Sequence, residues 1–231
     1  MPGQPVESRQ NAGPALAVWD LPVRLVHWAM VLLLPVLIAT GLANYDWLQW
    51  HLRAGYAMLT LVLFRIAWGF TGSRNARFAA FVRGPRVVAG YLRGMRAAHD
   101  AYATHNPLGA WMVIALLAVL LAQCSLGLFT SGDSSYAGPL ASRISEDLSE
   151  RLSWIHRRLW WGVATLVVLH IAAVAAHYAL WRDNLVGPMF SGRKALPPGR
   201  GDATHARASM VMALLLLAAS AGLVAWIAAR G

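Results

Sequence analysis

Histidines in or beside long apolar segments are the residues of this 231-residue chain with the clearest chemical potential. His51 and His156 each precede an apolar segment, whereas His27 and His170 lie within one. An ionisable side chain inside a membrane span usually has a function, because hydrocarbon solvates it poorly. Fourteen residues of helix advance about 21 Å and return to nearly the same face, so His156 and His170 should form one stripe at two depths.

Depth in the membrane predicts how these histidines pair. His51 and His156 are expected near the outer surface and His27 and His170 nearer the cytoplasm, so each pair joins two helices. Two facing imidazoles suit a flat ligand held through a central metal, such as a b haem with two axial histidines. His177, two turns after His170, matches the depth of His27 at least as well, and depth alone does not decide between them.

The proposed ligation favours electron transfer, because two axial histidines leave no open position on the iron. The chain has no Cys-x-x-Cys-His sequence, so the haems would be bound noncovalently. Other uses of intramembrane histidines are a hydrogen bond between helices, a proton relay, or a zinc or copper site. Depth-matched pairs and the lack of acidic residues inside the spans favour haem over these alternatives.

Arginines and one glycine could complete the two sites, because arginine forks pair well with carboxylates such as haem propionates. The candidates are Arg53, Arg157 and Arg158 near the outer pair and Arg24 and Arg65 near the inner pair. Snorkelling of Arg65 to the cytoplasmic headgroups is the alternative. Gly55 follows His51 by one turn and would let a porphyrin approach the backbone, or would serve helix packing.

Composition identifies the elements that must position these residues as transmembrane helices. The chain is 58% hydrophobic and 13% charged, which is too apolar for a water-soluble domain of this size. Five apolar stretches are long enough to span a bilayer. They are Leu25 to Ala43, Ala54 to Phe70, Pro107 to Thr130, Leu159 to Trp181 and Ala208 to Ala229.

Charge predicts the topology. The net charge of +10 comes from cations that flank the spans rather than line one polar face, so nucleic acid is not the expected partner. Arginines concentrate between spans two and three and between spans four and five, which places these connections and the amino terminus in the cytoplasm and the carboxyl terminus outside. The connection from Thr71 to Asn106 suits an amphipathic helix on the leaflet or an ordinary basic loop.

Several spaced motifs between Val18 and Lys194 resemble one family. They are the stretch VWDLPVRLVHW ending at Trp28, the pair Thr40-Gly41, His51-x-x-x-Gly55 with Arg65 and Trp68-Gly-Phe70, Trp154-Ile-His156 with His170, and His177-Tyr-Ala-Leu-Trp-Arg-Asp-Asn184. This set resembles the bacterial cytochrome b561 family and the related b-type cytochrome subunits of nickel-iron hydrogenases.

The resemblance implies an all-α integral membrane protein with a four-helix haem-binding transmembrane bundle over residues 18–194. Residues 1–17 would form a mobile tail, and residues 195–231 a linker and an additional carboxyl-terminal transmembrane helix outside the bundle. Two noncovalent b haems are implied, one held by His27 and His170 and the other by His51 and His156, which leaves His177 as a packing or hydrogen-bonding residue.

The resemblance also implies a place in a respiratory chain of the bacterial inner membrane. Electrons would pass between a periplasmic partner, either a c-type cytochrome or a hydrogenase-like subunit, and membrane quinone, either ubiquinone or menaquinone. The acidic connection from Asp133 to Glu150 could attract a basic cytochrome, or be a solvated loop. A transition-metal transporter or channel and a purely structural anchor are the rival functions, and the lack of buried acids and of inverted sequence symmetry argues against the transporter.

Overall fold

The structure of the chain is a computed structural model that describes residues 15–94, 104–131, 137–195 and 208–230. Its helices are α1 Leu21–Leu42, α2 Leu48–Thr71, α3 Phe78–Phe81, α4 Pro85–Arg93, α5 Pro107–Gly127, α6 Glu146–Trp181, α7 Val186–Ser191 and α8 Met210–Ala228. Single turns of 3-10 helix cover Tyr45–Trp47, Arg74–Ala76 and Ala141–Arg143. The two strands are β1 Ala15–Ala17 and β2 Arg193–Ala195.

Helices α1, α2, α5, α6 and α8 are each long and apolar enough to cross a membrane, which confirms the predicted spans and the all-α membrane class. Three helices begin before the predicted apolar stretches: α1 at Leu21 rather than at Leu25, α2 at Leu48 rather than at Ala54, and α6 at Glu146 rather than at Leu159. Ser145 caps α6 by accepting a hydrogen bond from the backbone N–H of Leu148. At 1.5 Å per residue α6 is about 54 Å long, well beyond the roughly 30 Å of a hydrocarbon core.

The ends of the predicted haem domain are joined by the strands. Ala15 pairs with Ala195 and Ala17 with Arg193 in an antiparallel ladder. The predicted amino-terminal tail therefore does not include residues 15–17, because their backbone groups pair with a strand that follows α7. Residues 1–14, and residues 196–207 of the predicted linker, lie outside the described part of the chain.

Helix α2 is the centre of the packing. It packs closely against α1, α5 and α8, and α6 packs against α5. Two clusters of buried apolar side chains surround α2, one that contains Phe64, Trp68 and Ala213, and a second that contains Leu59 and Val224. Because α8 contributes to both clusters, the fifth span lies along α2. Helices α1 and α6 are not among the closely packed pairs of the described residues.

One buried carboxylate, that of Asp20, joins the start of α1 to the end of α2. Its Oδ1 accepts a hydrogen bond from the backbone N–H of Val23 at 2.8 Å and thereby caps α1. Its Oδ2 accepts hydrogen bonds from Nε1 of Trp68 at 3.0 Å and from Oγ of Ser73 at 2.6 Å. A negative charge is also favourable at a helix amino terminus. The sequence analysis gave Asp20 no role.

The connection from Thr71 to Asn106 contains the predicted helix. Helix α4, Pro85–Arg93, buries Tyr91 and leaves most of its other side chains exposed, as an amphipathic helix does. Residues 95–103 of this connection lie outside the described ranges.

Candidate cofactor site

The structure brings the predicted outer pair of histidines together. His51 projects from α2 and His156 from α6, and their ring centroids are 6.2 Å apart with the ring planes at 86°. Metal–nitrogen bonds of about 2.0 Å on each side would fill most of that separation. The two rings are therefore spaced to bind one metal ion between them, and they leave no room for a further ligand between the metal ion and either imidazole.

Backbone carbonyls fix the protonation of both outer histidines. Nδ1 of His51 is 3.0 Å from the carbonyl oxygen of Leu37, and Nδ1 of His156 is 3.0 Å from that of Gln123. A carbonyl oxygen only accepts, so each Nδ1 carries the proton and donates it. Nε2 is then unprotonated, which is the form that ligates a metal, and the ring orientation is held from the far side. Nε2 of His156 also lies 3.5 Å from the side-chain amide nitrogen of Gln123, a longer contact than the one that Nε2 of His177 makes.

A glycine lies behind each outer histidine. A Cβ at Gly41 of α1 would be 2.8 Å from Cε1 of His51, and one at Gly127 of α5 would be 3.2 Å from Cε1 of His156. Each glycine follows by four residues the carbonyl that holds the same ring, so α1 and α5 present matching surfaces to the two imidazoles. Sequence analysis missed this relation and with it Gln123 and Gly127, because only the packing of the helices shows which carbonyls face the imidazoles.

Gly55 and the inner histidines also fit a ligand that the chain does not itself supply. A Cβ at Gly55 would meet no atom within 4 Å, so open space lies beside it on the helix that carries His51. His27 of α1 is close enough to His170 of α6 for an electrostatic interaction, and their joint ligation of one haem stays a prediction. Nδ1 of His27 is buried and has no hydrogen-bond partner among the described residues. Buried polar atoms in proteins rarely lack such a partner.

His177 is engaged elsewhere. Its Nε2 lies 3.2 Å from Nδ2 of Asn106, whose amide can only donate there. Asn106 also caps α5, since its Oδ1 accepts a hydrogen bond from the backbone N–H of Gly109 at 2.7 Å. His177 is thus tied to the start of α5 through the nitrogen that a metal would need.

His105 lies next to the inner pair, and sequence analysis did not assign it a function. It precedes α5, and its ring centroid is 4.7 Å from that of Trp19 and 4.3 Å from that of Phe81. Burial, together with the nearby Arg65 guanidinium and His170 imidazole, lowers the pKa of His105 to about 3. No sequence signal indicated this, because a histidine in a connection has no helical spacing to relate it to the spans.

The inner arginines are held by backbone carbonyls. Arg65 is 5% exposed, and its Nη1 donates to the carbonyl oxygen of Ala76 at 3.4 Å. Its Cζ lies 5.4 Å from the ring centroid of Phe78. Arg24 donates from Nη1 to the carbonyl oxygen of Phe190, and its Nε is buried without a partner in the described residues. The Arg65 side chain is therefore enclosed by protein rather than extended into open solvent.

The outer arginines are exposed instead. Arg53 lies over the ring of Trp50 at 5.2 Å, and Arg158 over that of Trp154 at 4.6 Å. Arg157 is exposed as well. None of these three side chains forms a hydrogen bond with His51 or His156, although Arg157 is close enough to His156 for an electrostatic interaction. The role predicted for them at the outer haem stays a prediction.

Comparison with known proteins assigns the chain to a family. The family model described as prokaryotic cytochrome b561 matches residues 18–192. The chain belongs to this family. It is therefore a multi-pass membrane cytochrome of the b type, which carries haem b and takes part in electron transfer.

Relatives with assigned names agree with this membership. A probable Ni/Fe-hydrogenase B-type cytochrome subunit of Azotobacter chroococcum mcd 1 is 26% identical, with 81% of this chain and 92% of that protein covered. Proteins of the same name in Azotobacter vinelandii and Rhodobacter capsulatus are 25% and 22% identical, and cover 81% and 79% of this chain and 92% and 82% of their own lengths. No solved structure gives a significant match.

Proposed function

We propose that this cytochrome carries electrons through two bis-histidine b haems between a periplasmic redox partner and the membrane quinone pool. The observation that supports it most directly is the outer pair, in which His51 and His156 face each other at 6.2 Å with both Nδ1 atoms hydrogen-bonded to carbonyls. When bound, each haem supplies a reversible one-electron iron couple. The histidines would hold the haem, and the residues around them would keep water away from the iron.

The outer site is preorganised by α1 and α5. Leu37 and Gln123 accept the Nδ1 protons, and Gly41 and Gly127 give the imidazoles the space in which they lie. Oγ of Thr40 lies 3.3 Å from Nδ1 of His51 and adds a second polar contact to that ring. Ligands held from behind in this way undergo little rearrangement when the iron changes its charge, which favours rapid electron transfer.

The inner site is proposed to use His27 and His170. The hydrogen bond between His177 and Asn106 supports this choice, because ligation by His177 would require that contact to break. A ligand held by both histidines would lie between α1 and α6. Arg24 and Arg65, which are at the same end of the bundle, are proposed as propionate partners.

The proposed orientation in the bacterial inner membrane has the amino terminus in the cytoplasm and the carboxyl terminus in the periplasm, by the positive-inside rule. The first third of α6 then projects into the periplasm with Glu146, Asp147 and Glu150 exposed. This surface supports docking of a c-type cytochrome or a hydrogenase-like subunit, and the names of the relatives favour the latter. Asp133, the first acid of the predicted acidic connection, lies outside the described residues. The quinone, ubiquinone or menaquinone, is proposed to bind near a haem edge.

A transition-metal transporter is the alternative that uses the same histidines. Structural zinc sites have four protein ligands and catalytic ones three. In residues 15–94, 104–131, 137–195 and 208–230 no group of three or more His, Cys, Asp or Glu side chains could hold a metal ion. The two-histidine arrangement thus suits a haem, whose porphyrin supplies the other four ligands.

The proposal is tested by removing one histidine at a time from protein purified in mild detergent. Pyridine haemochrome assays and reduced-minus-oxidised spectra give the haem count, and a redox titration separates the two potentials. His51→Ala and His156→Ala should each remove the same haem, and His27→Ala and His170→Ala the other. Retention of two low-spin haems in any of these variants would refute that ligand assignment.

Partners are tested on the wild-type protein in the same preparation. Reduction of its haems by ubiquinol or menaquinol analogues would support the quinone role, and failure with both would contradict it. A reporter fused after Gly231 should be active only in the periplasm, and a cytoplasmic signal would reverse the proposed orientation.

A further inference from the structure

Arg65 is a buried cation that the protein satisfies incompletely. A guanidinium has five N–H donors, and within the described chain this one makes a single hydrogen bond, at 3.4 Å to Ala76. The nearest acid is Asp20, whose oxygens already accept three hydrogen bonds and form no ion pair with Arg65 at 4.0 Å or less. Burying a charge in this way is unfavourable unless an anion is present.

His105 presents a second unused donor beside Arg65. Nδ1 of its ring is buried and has no hydrogen-bond partner among the described residues. The rings of Trp19 and Phe81 contact His105 and fix the plane of its imidazole. Phe81 also contacts the ring of Phe78, over which the Arg65 guanidinium lies, so the imidazole and the guanidinium border the same aromatic cluster. His105 is close enough to both Arg65 and His170 for electrostatic interactions.

We propose that Arg65 and His105 together bind one carboxylate, a propionate of the inner haem. The inference rests on the proposed function and adds His105, a residue outside the spans, to the inner site. A planar guanidinium can donate two parallel hydrogen bonds to a carboxylate, and an imidazole N–H can donate a third. The anion would neutralise the buried Arg65 charge, and the donors would hold the propionate at the cytoplasmic end of the bundle.

The first variant is His105→Phe, which keeps an aromatic ring between Trp19 and Phe81 and removes both nitrogens. Without this donor the propionate charge is less compensated, so the oxidised iron is favoured and the midpoint potential of the inner haem falls. We expect at least a tenfold change in the ferric-to-ferrous equilibrium, which is about 59 mV for one electron. The potential of the outer haem should not move and serves as an internal reference.

Infrared difference spectra identify the group that is bound. In protein made with haem that is ¹³C-labelled at the propionate carboxylates, His105→Phe should shift the label-sensitive carboxylate bands. His105→Gln, which retains an N–H donor, should restore most of both the potential and the bands. A matched control is His177→Phe, which removes a histidine of α6 that lies at the same end of the bundle and should leave the bands and both potentials unchanged.

The outcomes separate this inference from the proposed function. Fewer than two haems in the wild-type protein would refute the proposed function itself. Two haems, with unchanged inner potential and carboxylate bands in His105→Phe, would overturn the role of His105. A shift confined to bands that the label does not affect would show that a different anion, such as a lipid phosphate, binds there. Loss of the inner haem from both His105 variants, with His177→Phe intact, would show that the ring only supports the fold.

Discussion

A methyl group at Gly41 should disturb the outer haem site without contact to the haem itself. In Gly41→Ala the added Cβ would lie 2.8 Å from Cε1 of His51, about 0.6 Å inside the 3.4 Å at which ordinary contact begins. The ring cannot simply withdraw, because its Nδ1 is held 3.0 Å from the carbonyl oxygen of Leu37. Either that hydrogen bond lengthens or the helices α1 and α2 move apart.

The magnitude follows from the size of the overlap. Overpacking of a well-packed site costs typically 1–3 kcal/mol, which corresponds to about 5- to 150-fold weaker binding. Gly127→Ala should have a smaller effect of less than about tenfold, since its Cβ would be 3.2 Å from Cε1 of His156 and a movement of a few tenths of an ångström suffices. Gly222→Ala on α8 is the matched control, because its Cβ meets nothing within 4 Å.

The assay is a titration of haem-free protein with haemin in detergent, followed at the Soret band, with the inner haem of each variant as reference. The expected order of outer-haem affinity is wild type and Gly222→Ala, then Gly127→Ala, then Gly41→Ala. Helix propensity favours alanine over glycine by up to about 1 kcal/mol, so unfolding of the backbone should not explain the loss. Wild-type outer-haem affinity in Gly41→Ala would refute the close packing of Gly41 on His51.

Other substitutions test separate parts of the structure. Asp20→Asn should lower the free energy of unfolding by about 1–3 kcal/mol, because one buried acceptor oxygen is replaced by an amide donor that faces other donors. Asp46→Asn at an exposed site is the control. Equal denaturation midpoints for the two variants would contradict the role of Asp20. Gly55→Leu should weaken outer-haem binding at least tenfold by filling the open space beside α2, whereas Gly222→Leu should not. Similar haem content in both variants would mean that the porphyrin does not occupy that space. His177→Ala should keep two low-spin haems, and loss of the inner one would transfer ligation from His170 to His177.

The membrane spans could be predicted because hydrophobicity is local. A stretch such as Pro107–Gly127 is apolar enough to require lipid wherever it lies, and a helix satisfies its backbone without help from the rest of the chain. The start of α6 could not be predicted in this way, since residues 146–158 contain too many charged side chains to form an apolar span. Two contacts stabilise this part of the helix: the Ser145 cap, and the hydrogen bond that Oγ of Ser149 donates to the carbonyl oxygen of Phe129.

The sequence alone determined which histidines can pair, because a helix of known rise converts spacing into depth and face. It paired His51 with His156, and it left open whether His27 pairs with His170 or with His177. Tertiary structure decided what spacing does not encode: which carbonyls hold the imidazoles, that Asn106 engages His177, and that His105 comes next to Arg65. These contacts join residues from different helices and connections, and only the packing of α1, α5 and α6 around α2 brings them together.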